Sequence, residues 1–163
     1  MASPPMPGDR VAAPRSVLLV RLLVGGVFLA EGIQKFLYPG ELGPGRFAKI
    51  GIPWPDALAP FVGVVEIVGG ALVLAGLATR VAAGLLLADI LVAIASTKIP
   101  ILLGRGYGPF TLASLPRYGF WSMVHEARVD FCMALGSLFL ILTGAGPISL
   151  DARLREASPP ESA

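Results

Sequence analysis

Nine ionisable side chains interrupt stretches that are otherwise apolar enough to cross a lipid bilayer: Arg21, Glu31, Lys35, Glu66, Asp89, Lys98, Glu126, Arg128 and Asp130. A charge near the bilayer centre costs about 2.5–3.5 kcal/mol on insertion scales, so charges that remain there usually face a bundle interior and pair with one another. They are the first place to look for function. At 163 residues, 55% hydrophobic and only 15% charged, the chain is too apolar for a soluble domain and reads as one integral membrane unit. Its net charge of +2 is scattered without a basic stripe, which sets nucleic acid aside as a partner.

Residues 1–14, rich in Pro, Ala and Ser, read as a disordered tail. A first span is expected from Ser16 to Leu37. Arg10 and Arg15 precede it as in a signal peptide, but no small-x-small cleavage site follows, so the helix is read as retained. Tyr38 to Ala59 is crowded with glycine and proline and predicts a helix-free loop, with Trp54 at headgroup level. A second span, Pro60 to Leu77, and a third, Arg80 to Ile99, are separated only by Ala78 and Thr79 and must form an antiparallel hairpin. Pro100 to Phe120 is a second long connection, with Tyr107, Phe110, Tyr118 and Trp121 as interfacial aromatics. The apolar run Phe131 to Thr143 is too short to cross alone, so a fourth span must start near Trp121. Residues 147–163 form a polar tail.

The expected fold is therefore all-α: an antiparallel four-transmembrane-helix bundle over residues 15–146, with two long loops on one side and a short turn on the other. Four spans put both termini on one face, and the arginines before the first span favour the cytoplasm.

Within this frame, Glu31, Glu66 and Asp130 each lie about 9 to 14 Å in from the loop side, at about 1.5 Å of rise per residue. Lys35, Arg128 and Lys98 share that layer, and Asp89 sits deeper. Gly63 and Gly70 flank Glu66, Ala93 and Ser96 share the Asp89 face, and Ala134 and Ser137 that of Asp130, so the acids lie on faces built for close helix contact. Two readings follow. One is a salt-bridge network that fixes helix order; the other is a polar pocket open to the long loops, in which one carboxylate carries a proton. Glu66 is the first choice, since its own helix offers no cation.

Arg21 is expected to snorkel to headgroups or to meet the Asp89 region. His125, the only histidine, reads as a hydrogen-bonded surface group and cannot build a metal site alone, so no metal is expected. Glu126 and Arg128 are carried into the membrane zone beside it. Cys132 has no partner for an internal disulfide and reads as a buried packing residue.

VRLLVGGVFLAEGIQKF, then FAKIGIPWPDALAPFVGVVEIVGGALVLAGLATRVAA, then GAGPISLDARL resemble, in that order, the DoxX family of small bacterial four-helix membrane proteins. The resemblance covers about Arg15 to Leu154. Arg21, Lys35 and Glu66 match charged places in the family pattern, and Asp151 its terminal motif. The resemblance implies a multi-pass protein of the inner (plasma) membrane. It also implies a redox setting, because the family includes a subunit of a thiosulfate:quinone oxidoreductase and proposed anchors for oxidative-stress complexes. Distant relatives resemble cargo receptors or assembly chaperones, which keeps open a scaffold without catalysis. On the redox reading the chain carries no cofactor of its own, quinone is the implied small molecule, and the partners are the bilayer, redox proteins and a second copy of the chain.

Overall fold

The computed structural model describes residues 14–157, so residues 1–13 of the expected N-terminal tail and the last six residues lie outside the described part. Among the described residues the fold is helical, with one isolated bridge between Tyr107 and Phe110 and no strand. Three helices are long and apolar enough to cross a membrane: Val17–Leu37, Pro55–Ala75 and the continuous rod Thr79–Leu103.

The first of these, α1 (Val17–Leu37), packs against α3 (Pro55–Ala75) through glycines seven residues apart. A Cβ on Gly25 would come within 2.8 Å of the Gly70 carbonyl oxygen, and one on Gly32 within 2.7 Å of that of Gly63. Backbones this close run antiparallel and hold by van der Waals contact, which in lipid replaces the hydrophobic drive. Gly69 faces the other way and admits Leu86 of α4 (Thr79–Ala93). Leu86 joins Val24, Phe28, Val73, Met133 and Leu140 in the central core. Outward, Leu22, Leu23, Val68, Leu85, Leu135 and Leu142 are exposed, an apolar girdle suited to acyl chains.

Two connections contain helix where none is expected. Within Tyr38–Ala59 lies α2 (Pro44–Ile50): its breakers sit at its ends, with Pro44 starting it and left-handed Gly51 (φ 83°) closing it. The same logic moves the start of α3 forward, because Pro55 takes the first helical position and Pro60 is carried inside. The rod begun by α4 passes through a π-helical turn, Ile94–Lys98, into α5 (Ile99–Leu103). Pro100 supplies the reason: it has no N–H to donate, and its ring would crowd the carbonyl four residues back.

A short α6 (Phe120–Glu126) is separated from α7 (Arg128–Thr143) by Ala127, which is fully buried with φ −91° and ψ 0°. The expected start near Trp121 therefore leads into a broken helix rather than one rod. α7 packs on α4 and α1. The terminal segment is not featureless either: Leu150–Ala157 forms α8.

Candidate functional site

α1, α3 and α4 bring three ionisable groups together. Lys35 of α1 donates to Glu66 Oε2 of α3 at 2.5 Å, with only 11% and 6% of the two side chains exposed. Asp89 of α4 lies within electrostatic range of both. Glu66 is thus not the partnerless acid expected from its own helix; the cation comes from α1. A second pair lies beside it, Lys98 Nζ to Asp130 Oδ2 at 3.4 Å, joining the π-turn to α7.

These groups surround a cavity of about 600 Å³. Glu31, Lys35, Asp89, Lys98 and Asp130 line it, while Glu66 stands behind the wall. Glu31 is exposed and sits on the lining, with no salt bridge among the described residues. Phe28, Phe47, Phe61, Ile90, Val62 and Met133 give the walls an apolar character. The π-turn widens the helix so that Ser96, Thr97 and Lys98, three successive residues, all reach the lining. Its loosened carbonyls are met by side chains: Ser96 and Thr97 hydroxyls donate to Ala93 O, and the Tyr107 hydroxyl donates to Ala95 O at 2.7 Å.

The two connections close over the cavity as one cover. Thr111 donates through its N–H to Ile50 O and through its hydroxyl to Lys49 O, joining the second connection to α2. Arg46 from α2 and Phe110 from the second connection both line the space. Sequence reasoning missed Arg46 and Thr97 and gave Ser96 only as a small residue on the Asp89 face; Pro100 was the available signal for the π-turn.

Four expected site residues lie elsewhere. Arg21 neither snorkels nor meets Asp89. It is 2% exposed on the terminal side, where its guanidinium donates to the carbonyls of Val73 (2.8 Å), Leu74 (2.5 Å), Ala145 (3.2 Å) and Ile148. Five N–H donors on a rigid fork suit such a carbonyl cluster, and Gly76 leaves room for it, since a Cβ there would meet the guanidinium at 2.6 Å. Arg128 is exposed and turns back to the His125 carbonyl rather than to Asp130. His125 is exposed and Glu126 half-buried on α6, and neither lines the cavity. Cys132 is exposed, not buried, because it lies on the outward side of α7.

Long apolar helices around a shared charged cavity define an all-helical integral membrane protein. The DoxX family model matches residues 16–99, about half of the chain, and the chain belongs to that family. It is 55% identical over 141 residues to "Uncharacterized membrane protein Rv3486" of Mycobacterium tuberculosis, covering 86% of this chain and 82% of that one. It is 30% identical over 135 residues to "Putative oxidoreductase CatD" of Bacillus subtilis, covering 82% and 83%. No solved structure matches it.

Proposed function

We propose that this chain is the membrane subunit of a quinone-linked redox system and that the cavity holds the quinone. The observation that carries the reading is a single space of about 600 Å³ with apolar and aromatic walls and a cluster of hydrogen-bonding charges, a pattern typical of sites for small amphipathic molecules. A quinone, when bound, supplies two-electron, two-proton chemistry. Phe28, Phe47, Phe61 and Phe110 would flank its ring and tail. Lys98, Lys35, Ser96 and Thr97 would offer donors to its carbonyl oxygens, and Asp89, backed by Glu66, would hold the proton. Electrons would come from a partner protein docked on the α2 and Tyr107–Phe110 cover. The relative named as an oxidoreductase supports this setting.

In this reading α6 and α7 together complete a fourth crossing, since the girdle continues over Leu135, Leu138 and Leu142. The bundle sits in the inner membrane with cytoplasmic termini. The test is purification from native membranes in nanodiscs, with mass spectrometry of retained quinones and identification of co-purifying proteins. A retained quinone that is lost on Phe110→Arg, with a flavin-, iron- or rhodanese-bearing partner, is the expected result. A quinone-free chain that also fails to bind menadione or decylubiquinone overturns it.

A second reading, a non-catalytic scaffold or assembly chaperone, is favoured by the two interhelical ion pairs, which would serve as bundle glue. Glu66→Gln separates the two. Quinone reduction lost in a folded, partner-bound protein supports the redox role, whereas loss of complex assembly alone supports the scaffold.

A further inference from the structure

Two apolar side chains belong to the cavity and to the lipid-facing surface at once. Phe61 of α3 is 63% exposed and Val92 of α4 is 57% exposed, yet both line the cavity. Phe61 heads an outward stripe with Val64 and Val68, and Val92 continues one with Val81 and Leu85, so each stands where acyl chains would touch the bundle. At about 1.5 Å of rise per residue, Phe61 lies about 9 Å in from the start of α3 at Pro55, within the apolar length of the helix. Towards the terminal side the two helices are closed, because Leu86 fills the space over Gly69. Towards the loop side, Leu58, Phe61 and Val62 of α3 and Asp89, Val92 and Ala93 of α4 border the cavity instead. The other exposed lining residues suit lipid less: Glu31 and Arg46 are charged, Pro53 belongs to the connection leading into α3, and Val129 follows the exposed Arg128.

We propose that the cavity opens into the bilayer through a window between α3 and α4, framed by Phe61 and Val92, and that its ligand is a lipid whose head sits inside while its tail leaves through that window. The proposal rests on the quinone reading and narrows it to quinones with a long polyprenyl tail. Size supports the division: about 600 Å³ is the volume of a site for a drug-sized molecule, enough for a ring head and the start of a tail but not for a whole polyprenyl chain. The route supports it too. A tail in the window keeps apolar surroundings throughout, whereas a path through the cover would take it past Arg46. Ser96, Thr97 and Lys98 begin one turn beyond Val92 on the same rod and put polar groups in the space that the head would fill.

The experiment places the full chain in phosphatidylcholine nanodiscs with one of two photoactivatable probes and locates the cross-links by mass spectrometry. One probe is a polyprenyl naphthoquinone with a diazirine along its tail; the other is a phosphatidylcholine with a diazirine in its acyl chain. The quinone probe is expected to cross-link at Phe61 and Val92, and an excess of the unlabelled long-tailed quinone should remove those cross-links. Val92→Trp, which narrows the window with a large side chain, should weaken binding of the long-tailed quinone about tenfold more than binding of tail-less menadione. Quinone cross-links at Glu31 and Val129 or on the cover in place of Phe61 and Val92, or equal effects of Val92→Trp on both quinones, overturn the window; the wild-type cross-links decide it even if the variant does not fold. Failure of the quinone reading has a different signature. Neither quinone then binds, while the phosphatidylcholine probe still reaches Val62 and Ala93, which are half-buried on the cavity wall, so the window stands with a phospholipid tail as its occupant. A chain that binds neither quinone and shows no labelling at Val62 and Ala93 overturns both.

Discussion

Asp151 accepts hydrogen bonds from the backbone N–H groups of Ala78 and Thr79 at 2.8 and 3.1 Å, and so caps α4 from 72 positions further along the chain than Thr79. The cap compensates an awkward turn, since Ala78 adopts φ 48°, a left-handed conformation uncommon outside glycine. In return the Asp151 N–H donates to Gly76 O, and Arg21 grips the carbonyls on either side.

Removing this cap should weaken the whole terminal-side clasp. Asp151→Ala is expected to cost about 1–2 kcal/mol, the range of a lost N-cap, and Asp151→Asn less, because an amide oxygen still accepts. Thermal unfolding in detergent, with Ala78→Gly as a stabilising partner substitution, checks it.

The glycine seam predicts a sharp contrast between neighbours on one helix. Gly32→Ala puts a Cβ 2.7 Å from the Gly63 carbonyl oxygen and should cost about 1–3 kcal/mol through overpacking. A Cβ at Gly26 meets nothing within 4 Å, so Gly26→Ala should be neutral or slightly stabilising. Paired melting curves would show the difference, and equal effects at both positions would contradict the close approach.

Lys35 has Glu66 at 2.5 Å and Asp89 within electrostatic range, which predicts non-additivity. Glu66→Gln alone should be mild, since Asp89 remains as counter-charge. Glu66→Gln with Asp89→Asn strands an ammonium that is only 11% exposed, and should cost about 3–5 kcal/mol. Adding Lys35→Met to the double variant should recover most of that loss. A double-mutant cycle on unfolding free energies measures the coupling.

Tyr107→Phe deletes the hydroxyl that satisfies Ala95 O in the widened turn. A cost of about 1–3 kcal/mol is expected if that carbonyl is left unpaired. Hydrogen exchange should quicken in residues 104–111 and leave the α1 and α3 core unchanged, which mass spectrometry resolves.

The three long apolar helices and the hairpin at Ala78 were legible because length and hydropathy alone decide them. The inward placement of Glu66 was also readable, from Gly63 and Gly70 on its face. The helices α2 and α8 were not, because glycine and proline counts cannot distinguish a breaker inside a helix from one that starts or ends it. Arg21 was misplaced for a related reason: its partners are main-chain carbonyls at the ends of α3 and α7, which no side-chain pattern encodes. Lys98 was expected near Asp130's layer, but the geometry that lets Ser96, Thr97 and Lys98 share one wall depends on a non-α turn that a 3.6-residue period does not contain.

That turn makes the cavity sensitive to chain length as well as to residue type. Ile99 donates to Ile94 across five residues, so deleting one residue within Ile94–Lys98 would let the ladder close as an ordinary α-helix. The flanking segments would keep their relative orientation, but the wall would lose the extra residue that the wider turn holds. A single lost codon there would take one group off the Ser96, Thr97 and Lys98 lining while leaving the rod as apolar as before.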